Sequence, residues 1–251
     1  MKTIYQTPTG QVSRLFLDML AKPHVLLGGA TGSGKSVTIN GLIYAALFDS
    51  PAQRRFILID PKRVELRDYA SLPHTLMYAS EPAQMIAALR EALGICDARF
   101  KDMQRRGLRE YDGSHIYVII DELADLLTVK ATKSDATTLI QRIGQIGRAA
   151  RVHMIAATQS PVSAVIPTPI KVNFDTRVGF RTATAQDSRN IVAVKGCEQL
   201  PDPRAAGKGY AYYRDGANLT LYVIPMVSDI ERRRLIAWWM DKSHTRRRLF
   251  A

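Results

Sequence analysis

The chain has 251 residues, of which 46% are hydrophobic and 23% charged, a composition typical of a soluble globular protein with its own core. No apolar run approaches the roughly 20 residues that span a bilayer, and the N-terminus lacks an export signal, so we expect a cytoplasmic protein with no membrane segment. Lys and Arg number 35 against 23 acids, and the net charge of +12 indicates either a polyanionic partner or a basic surface without one.

Short apolar runs alternate with longer helical patterns, which is typical of parallel βαβ units. No linker divides the chain, so we predict a single α/β domain over residues 21–242, with an N-terminal extension over residues 1–20. Cys96 and Cys197 lie outside any metal-binding spacing. We therefore expect two reduced thiols and no cysteine-based metal site.

The first predicted strand, residues 24–28, leads into a glycine-rich loop and a helix over residues 35–48. The loop reads GATGSGKS and matches GxxxxGK followed by Ser or Thr at every fixed position. Glycines let consecutive backbone N–H groups wrap phosphates, Lys35 places its charge at the β- and γ-phosphates, and the Ser36 hydroxyl ligates Mg²⁺. An ordinary glycine-rich turn is the alternative. The pattern predicts a nucleotide site formed by Gly29, Ala30, Thr31, Gly32, Ser33, Gly34, Lys35, Ser36 and Val37.

The second predicted strand, residues 55–60, ends in Asp60, Lys62 and Arg63 at the edge where α/β proteins bind ligands. These charges could serve the nucleotide, a subunit contact or only the solvated surface. A long helix follows over residues 82–106. Its apolar positions recur every three or four residues, so one face is predicted to be buried.

The third predicted strand, residues 116–121, is apolar and ends in Asp121 and Glu122. Beside a phosphate-binding loop, Asp121 would hold the metal and Glu122 would polarise the attacking water. Two solvated acids at a strand end are the alternative. Two adjacent acids favour ATP hydrolysis, and no guanine-reading NKxD motif is present, so ATP is the expected nucleotide.

A helix over residues 135–150 and a strand over residues 152–158 come next. Gln159 follows this strand and could sense the γ-phosphate or cap the next turn. Another strand is predicted at residues 177–181, then a hairpin over residues 209–213 and 219–224 and an amphipathic helix over residues 229–240. A basic tail over residues 243–251 contains Arg246, Arg247 and Arg248 and is expected to be mobile.

Several stretches resemble the motor domain of the FtsK/SpoIIIE DNA translocases. The most specific are DPK at residues 60–62 and DELADL at residues 121–126. Further matches, in the same order along the chain, lie at residues 22–26, 32–37, 65–66, 69, 72–74, 147–150, 157–159, 176–178, 187–189 and 198–200.

The resemblance implies a RecA-like core that assembles into a ring, usually a hexamer, around double-stranded DNA. ATP with Mg²⁺ would sit between subunits, and a neighbour's arginine would stabilise transition-state charge. Arg148 is the first candidate for this arginine finger and Arg177 the second. Arg63 and the loop at residues 161–171 are candidates for sequence-independent contacts with the DNA backbone.

The sequence departs from the family pattern in two places. Ser160 and Pro161 follow Gln159 where an arginine is often found, and Gly207-Lys208-Gly209-Tyr210 replaces the usual Gly-Asp-Met-Leu. The chain also starts close to the first strand and ends soon after the final helix, so we expect neither a membrane anchor nor a sequence-reading module. A conjugative coupling or DNA-packaging ATPase of a mobile element, a non-motor switch that binds a protein, and a protein-secreting ATPase remain alternatives to the DNA translocase.

Overall fold

The computed structural model describes residues 4–7, 10–162 and 165–249. Within these residues the elements, in chain order, are β1 Ile4–Thr7, β2 Gly10–Ser13, α1 Arg14–Leu20, β3 His24–Gly28, α2 Lys35–Ala46, β4 Arg54–Ile59, β5 Thr75–Ala79, α3 Pro82–Arg106, β6 His115–Ile120, α4 Leu123–Thr128, α5 Lys130–Ile146, β7 Val152–Thr158, α6 Thr168–Lys171, β8 Thr176–Gly179, α7 Ala185–Val192, α8 Pro203–Ala206, β9 Tyr210–Asp215, β10 Asn218–Val223 and α9 Asp229–Leu249. Short 3₁₀ turns occupy Arg67–Tyr69 and Cys197–Gln199.

Eight strands form one sheet in the order β10-β9-β8-β3-β7-β6-β4-β5. The strands from β8 to β5 are parallel, whereas β9 and β10 add an antiparallel hairpin at one edge. Because parallel strands all end at the same edge, the loops after β3, β4, β6 and β7 meet there. The predicted α/β fold and its C-terminal hairpin are confirmed.

Helices cover both faces of the sheet, as a parallel sheet requires. Alternate residues of β3 show this: Val25 and Leu27 pack into the core with α1, α2 and α9, whereas Leu26 packs with α3, α4 and α5. The sheet is packed between these two cores, so the loops at the carboxyl edge begin from a rigid sheet.

Local sequence explains the bounds of α3. The Glu81 and Gln84 side chains form a capping box, Pro82 occupies the first turn, and Gly107 adopts a left-handed φ of 66° after the last turn. The buried face includes Met85, as the apolar spacing predicts.

Two contacts attach the terminal helices to the core. Phe16 of α1 lies against Gly41 of α2, where an added Cβ would come within 2.2 Å of the Phe16 ring. In α9, the indole N–H of Trp239 donates to the Leu47 carbonyl at 2.8 Å. Although α1 thus belongs to the packed core, the proposed boundary between residues 20 and 21 stays a prediction.

Some element predictions were wrong. The helix predicted at residues 135–150 begins earlier, at Lys130, and ends at Ile146, with α4 in front of it. The extended backbone of Val129 separates α4 from α5. The final helix continues to Leu249 instead of ending at residue 240, so the backbone of the predicted tail is helical over most of its length. The side chains of Arg246, Arg247 and Arg248 lie outside the described residues.

The strand β5 and the helices α1, α4 and α7 were not predicted. Both cysteines are buried free thiols. Among the described residues, no helix combines the length and apolar character needed to cross a bilayer.

Candidate phosphate-binding and hydrolytic site

The loop between β3 and α2 has the backbone that the glycine pattern predicts. Gly32 and Gly34 adopt positive φ values of 72° and 114°, which side-chain-bearing residues rarely adopt. The loop is fixed to neighbouring strand ends, since the Gly29 N–H donates to the Thr158 carbonyl at 3.3 Å and the Ala30 N–H to the Arg181 carbonyl at 2.8 Å. It therefore forms a rigid cradle at the start of α2.

Two polar side chains of this loop, Lys35 and Ser33, form no ion pair with the residues that the structure describes. The ammonium of Lys35 donates to the carbonyls of Gly29 at 2.6 Å and Ala30 at 2.8 Å. Burial lowers the pKa of Lys35 to about 8, although the carboxylate of Glu122 opposes the shift. The buried Ser33 hydroxyl has no hydrogen-bond partner in the described part of the chain. An anion bound in the loop would accept hydrogen bonds from the Lys35 ammonium and the Ser33 hydroxyl.

Acidic side chains gather beside the loop at the ends of β4 and β6. Burial, followed by the carboxylates of Asp60 and Glu65, raises the pKa of Asp121 to about 6. Crowding of this kind favours a bound cation, which would stabilise the charged form of each carboxyl. Lys35, Ser36 and Asp121 line the same cavity.

Glu122, at the start of α4, is almost fully buried and accepts several hydrogen bonds. Its carboxylate accepts from the backbone N–H of Ala124 at 3.3 Å and from the backbone N–H of Gln159 at 3.2 Å. The ammonium of Lys62 lies 3.4 Å from its second oxygen. The Gln159 side chain in turn accepts from the Thr31 hydroxyl at 2.6 Å.

A cavity of about 520 Å³ opens beside these groups. Of the predicted nucleotide-binding residues, those on its surface are Thr31, Gly32, Gly34, Lys35, Ser36 and Val37, while Asp121 and Gln159 line it as well. Gly29, Ala30 and Ser33 belong to the loop behind this surface, and Glu122 also lies outside the lining.

Sequence reasoning missed a second wall of the cavity. This wall comes from the C-terminal part of the chain and from the loop after β4: Val64, Pro203, Gly207, Lys208, Gly209, Ile224 and Met226. Its only sequence signal was the departure from the family pattern at residues 207–210. Val64 and Met226 are 71% and 79% exposed, which is unusual for apolar side chains inside a protein's own fold.

The two finger candidates occupy different settings. Arg148 is exposed in the turn before β7, at the amino edge of the sheet, away from the phosphate loop of its own chain. The Arg177 guanidinium donates to the carbonyls of Phe174 at 2.9 Å, Lys171 at 2.9 Å and Ile191 at 3.3 Å. These internal bonds occupy the Arg177 guanidinium, and which arginine acts as the finger stays a prediction.

The two DNA-contact candidates also differ. Arg63 is exposed and pairs with Glu81. Lys171 is the only Lys or Arg in residues 161–171, and it is buried with its ammonium donating to the Pro161 carbonyl at 2.6 Å. Lys171 therefore faces the interior, which contradicts its use as a surface cation. Residues 163–164 of that loop lie outside the described residues.

A divalent cation fits the donor set that the site supplies. Within the described ranges, no group of three or more His, Cys, Asp or Glu side chains could hold a metal alone. Mg²⁺ is commonly held by one or two protein oxygens, water and substrate phosphates, and Ser36 and Asp121 supply oxygens of that kind. We therefore expect the cation to bind together with the nucleotide.

Comparison with known proteins places this site in a family. The sequence profile of the FtsK/SpoIIIE family matches residues 6–115 and 113–163. The protein called DNA translocase FtsK in Lactiplantibacillus plantarum is 39% identical over 228 residues, which cover 82% of this chain and 28% of that protein. Its counterpart in Agrobacterium fabrum is 34% identical over 266 residues, covering 88% and 29%. The chain thus spans less than a third of the length of these relatives.

A solved structure supports the fold. The conjugation coupling protein TcpA of pCW3, in monomer form with ATPγS, superimposes with a TM-score of 0.75 at 21% sequence identity, covering 94% of this chain and 69% of that one. At this identity the likeness concerns the fold alone. The profile match and the two relatives together show that the chain belongs to the FtsK/SpoIIIE family.

Proposed function

We propose that this chain is an ATP-hydrolysing motor that moves double-stranded DNA in the cytoplasm. The observation that carries the ATPase assignment is the meeting of Lys35, Ser36 and Asp121 around one cavity, beside the buried Glu122. The DNA assignment is supported by family relatives that are named DNA translocases. Residues 21–242 would form the motor domain, between the N-terminal extension at residues 1–20 and the basic tail at residues 243–251.

The phosphate loop would bind the triphosphate. Backbone N–H groups of residues 29–34 would surround the phosphates, and the Lys35 ammonium would exchange two carbonyl partners for phosphate oxygens. Ser36 and Asp121 would hold Mg²⁺, which when bound neutralises charge on the phosphates. The crowded carboxyl of Asp121 would then stay ionised.

Glu122 and Gln159 would serve the hydrolytic step. Glu122 would orient the attacking water and accept its proton, as a carboxylate at this position can. Gln159 bridges Thr31 of the phosphate loop and Glu122. In this position it would report whether a γ-phosphate is present.

The second wall of the cavity, formed by Val64 and the C-terminal residues, would contact the nucleobase. Val64 and Met226 are highly exposed there, and burial against a flat aromatic ring would remove apolar surface from water. Apolar packing of this kind holds a base without reading its edge. We therefore expect weaker discrimination among purine triphosphates than a guanine-specific enzyme would show.

Assembly into a hexameric ring would complete the site. Arg148 lies at the amino edge of the sheet and cannot serve the cavity of its own chain, whereas it is exposed and free to serve a neighbour's. The net charge of +12 would favour a sequence-independent grip on DNA phosphates, with Arg63 as one contact.

The test is the steady-state ATPase rate of the full chain with and without linear duplex DNA, at low and moderate salt. The proposal predicts stimulation by DNA that fades as salt rises, because phosphate contacts release counterions. Absence of stimulation at both salts in an assembled oligomer would contradict the motor assignment. It would favour a P-loop ATPase that responds to a protein partner.

A further inference from the structure

A chain of polar contacts crosses the carboxyl edge of the sheet. It follows the strand order β3-β7-β6-β4: Thr31 contacts Gln159, Gln159 contacts Glu122, and Glu122 contacts Lys62. The last contact joins an exposed cation to a buried carboxylate. The Lys62 side chain is 42% exposed, whereas that of Glu122 is 4% exposed.

The loop that carries Lys62 is anchored at its base. One carboxylate oxygen of Asp60 accepts from the Leu66 N–H at 3.0 Å and from the Tyr78 hydroxyl at 3.3 Å. The second Asp60 oxygen has no partner among the described residues. Between these anchors Lys62, Arg63 and Val64 project outward.

The tip of this loop is conformationally strained. Arg63 has a φ of 57°, in the left-handed region that non-glycine residues seldom occupy. The turn is held by the Arg63 N–H, which donates to the Asp60 carbonyl at 3.1 Å, and by the ion pair of Arg63 with Glu81. Strain of this type persists only where surrounding contacts impose it and is often found in switch segments. A competing anion for Arg63 would remove one of those contacts.

We propose that Lys62 is a positioning residue that restrains Glu122 until the loop at residues 60–66 is displaced. This inference rests on the proposed function, and it concerns the regulation of the same site. While the ion pair is formed, the Lys62 ammonium occupies one oxygen of the carboxylate that would orient the attacking water, so hydrolysis is slow. When DNA phosphates attract Arg63 away from Glu81, the turn relaxes, Lys62 leaves and Glu122 becomes the base.

The experiment compares the DNA-free ATPase rate of the full-length wild type with that of Lys62→Ala. The inference predicts a rise of about three- to fivefold, the factor by which a partly exposed ion pair shifts a two-state population. The rate with saturating DNA stays near that of the wild type, so the ratio of stimulated to basal rate falls. The KM for ATP is expected to stay unchanged.

Two further variants separate the effect of the Lys62 charge from the effect of its aliphatic stem. Lys62→Arg keeps the positive charge and is expected to retain the low basal rate, whereas Lys62→Met keeps the aliphatic stem and should behave like Lys62→Ala. Lys101→Ala, which removes an exposed cation from α3, is the matched control.

Failure of the Lys62 restraint and failure of the proposed function give different results. An unchanged or lower basal rate in both Lys62→Ala and Lys62→Met would overturn the restraint, and a lower rate would instead place Lys62 among the groups that bind phosphate. If the wild type itself hydrolyses no ATP with or without DNA, the proposed function fails as well. Normal wild-type activity with unaffected variants removes only the restraint.

Discussion

The two edges of the parallel sheet gather different kinds of polar group. At the amino edge, the rings of His115 and His153 are joined by a hydrogen bond of 2.9 Å, and the other nitrogen of His153 meets the Lys22 carbonyl at 3.1 Å. Arg99 donates there to the carbonyls of Ala150 at 2.7 Å and Arg151 at 3.2 Å. These contacts join the ends of strands and helices within the fold.

At the carboxyl edge, polar groups are left incompletely matched. Ser33 has a buried hydroxyl without a partner among the described residues, and the pKa of Asp121 is raised by burial and by neighbouring acids. The two edges are built from the same strands, so packing does not explain the difference. The amino edge also has buried polar atoms without a partner among the described residues, such as Nε2 of His24 and Nη1 of Arg54. The comparison teaches that carboxyl groups crowded beside a cavity distinguish the ligand-binding edge from the structural edge.

The largest expected effect comes from Lys35→Ala. Removing the ammonium deletes a charge that would stabilise the transferred phosphoryl group, so we expect ATP turnover to fall by at least about a hundredfold. The measurement is steady-state phosphate release together with binding of a fluorescent ATP analogue. Wild-type turnover in this variant would place the nucleotide elsewhere, and Lys101→Ala serves as the control.

Glu122→Gln, at the carboxyl edge of the sheet, should slow ATP hydrolysis without weakening ATP binding. The amide preserves the size of the side chain but cannot accept the proton from water, so turnover should fall by about 10² to 10⁴. Binding of ATP should remain close to that of the wild type. Retained turnover would remove Glu122 from the role of base.

Arg148→Ala tests whether the structural edge also contributes to catalysis in a neighbouring subunit. We expect turnover of the assembled protein to fall by at least about tenfold, because an arginine finger stabilises transition-state charge. ATP binding by isolated subunits should not change. Arg142→Ala, from an exposed position on α5, is the control, and equal rates for both variants would assign the finger elsewhere.

The buried histidines of the amino edge should affect stability and not turnover. Burial lowers the pKa of His153 to about 3, with the charges of nearby histidines as further causes. The unfolded chain, with a pKa near 6.5, therefore binds more protons than the folded chain between these values. Stability is full above about pH 6.5 and falls as the pH drops, by about 2 kcal/mol from pH 7 to pH 5 for this one group.

Urea unfolding at pH 7 and pH 5 measures this loss. His153→Gln keeps a hydrogen-bonding side chain without the titration, and its loss of stability over the same interval should be smaller by that amount. The same pH dependence in both proteins would show that His153 is already charged in the fold or exposed to solvent.

Much of this fold and site could be predicted from the sequence. The strands β3 and β7 and the helix α3 have strong periodicity and flanking signals, and the phosphate loop has a fixed spacing. The short elements β5 and α1 carry too few residues for a period to be recognised, and their positions depend on packing against β4 and α2. Val129 broke a continuous helical pattern that has no proline or glycine to mark the break.

The parts of the site that were missed depend on distant contacts. The wall at Gly207, Ile224 and Met226 approaches the phosphate loop only because the C-terminal hairpin joins the sheet beside β8. The contact between Lys62 and Glu122 likewise needs the adjacency of β4 and β6. Spacing within one segment contains no information about such neighbours.

Displacement of a triplex-forming strand from linear duplex DNA tests the central claim most directly. With ATP, the wild-type protein should release the third strand from a site far from any DNA end, and Glu122→Gln should bind ATP without releasing it. Release that needs no ATP, or vigorous DNA-stimulated hydrolysis with no release, would contradict a translocating motor.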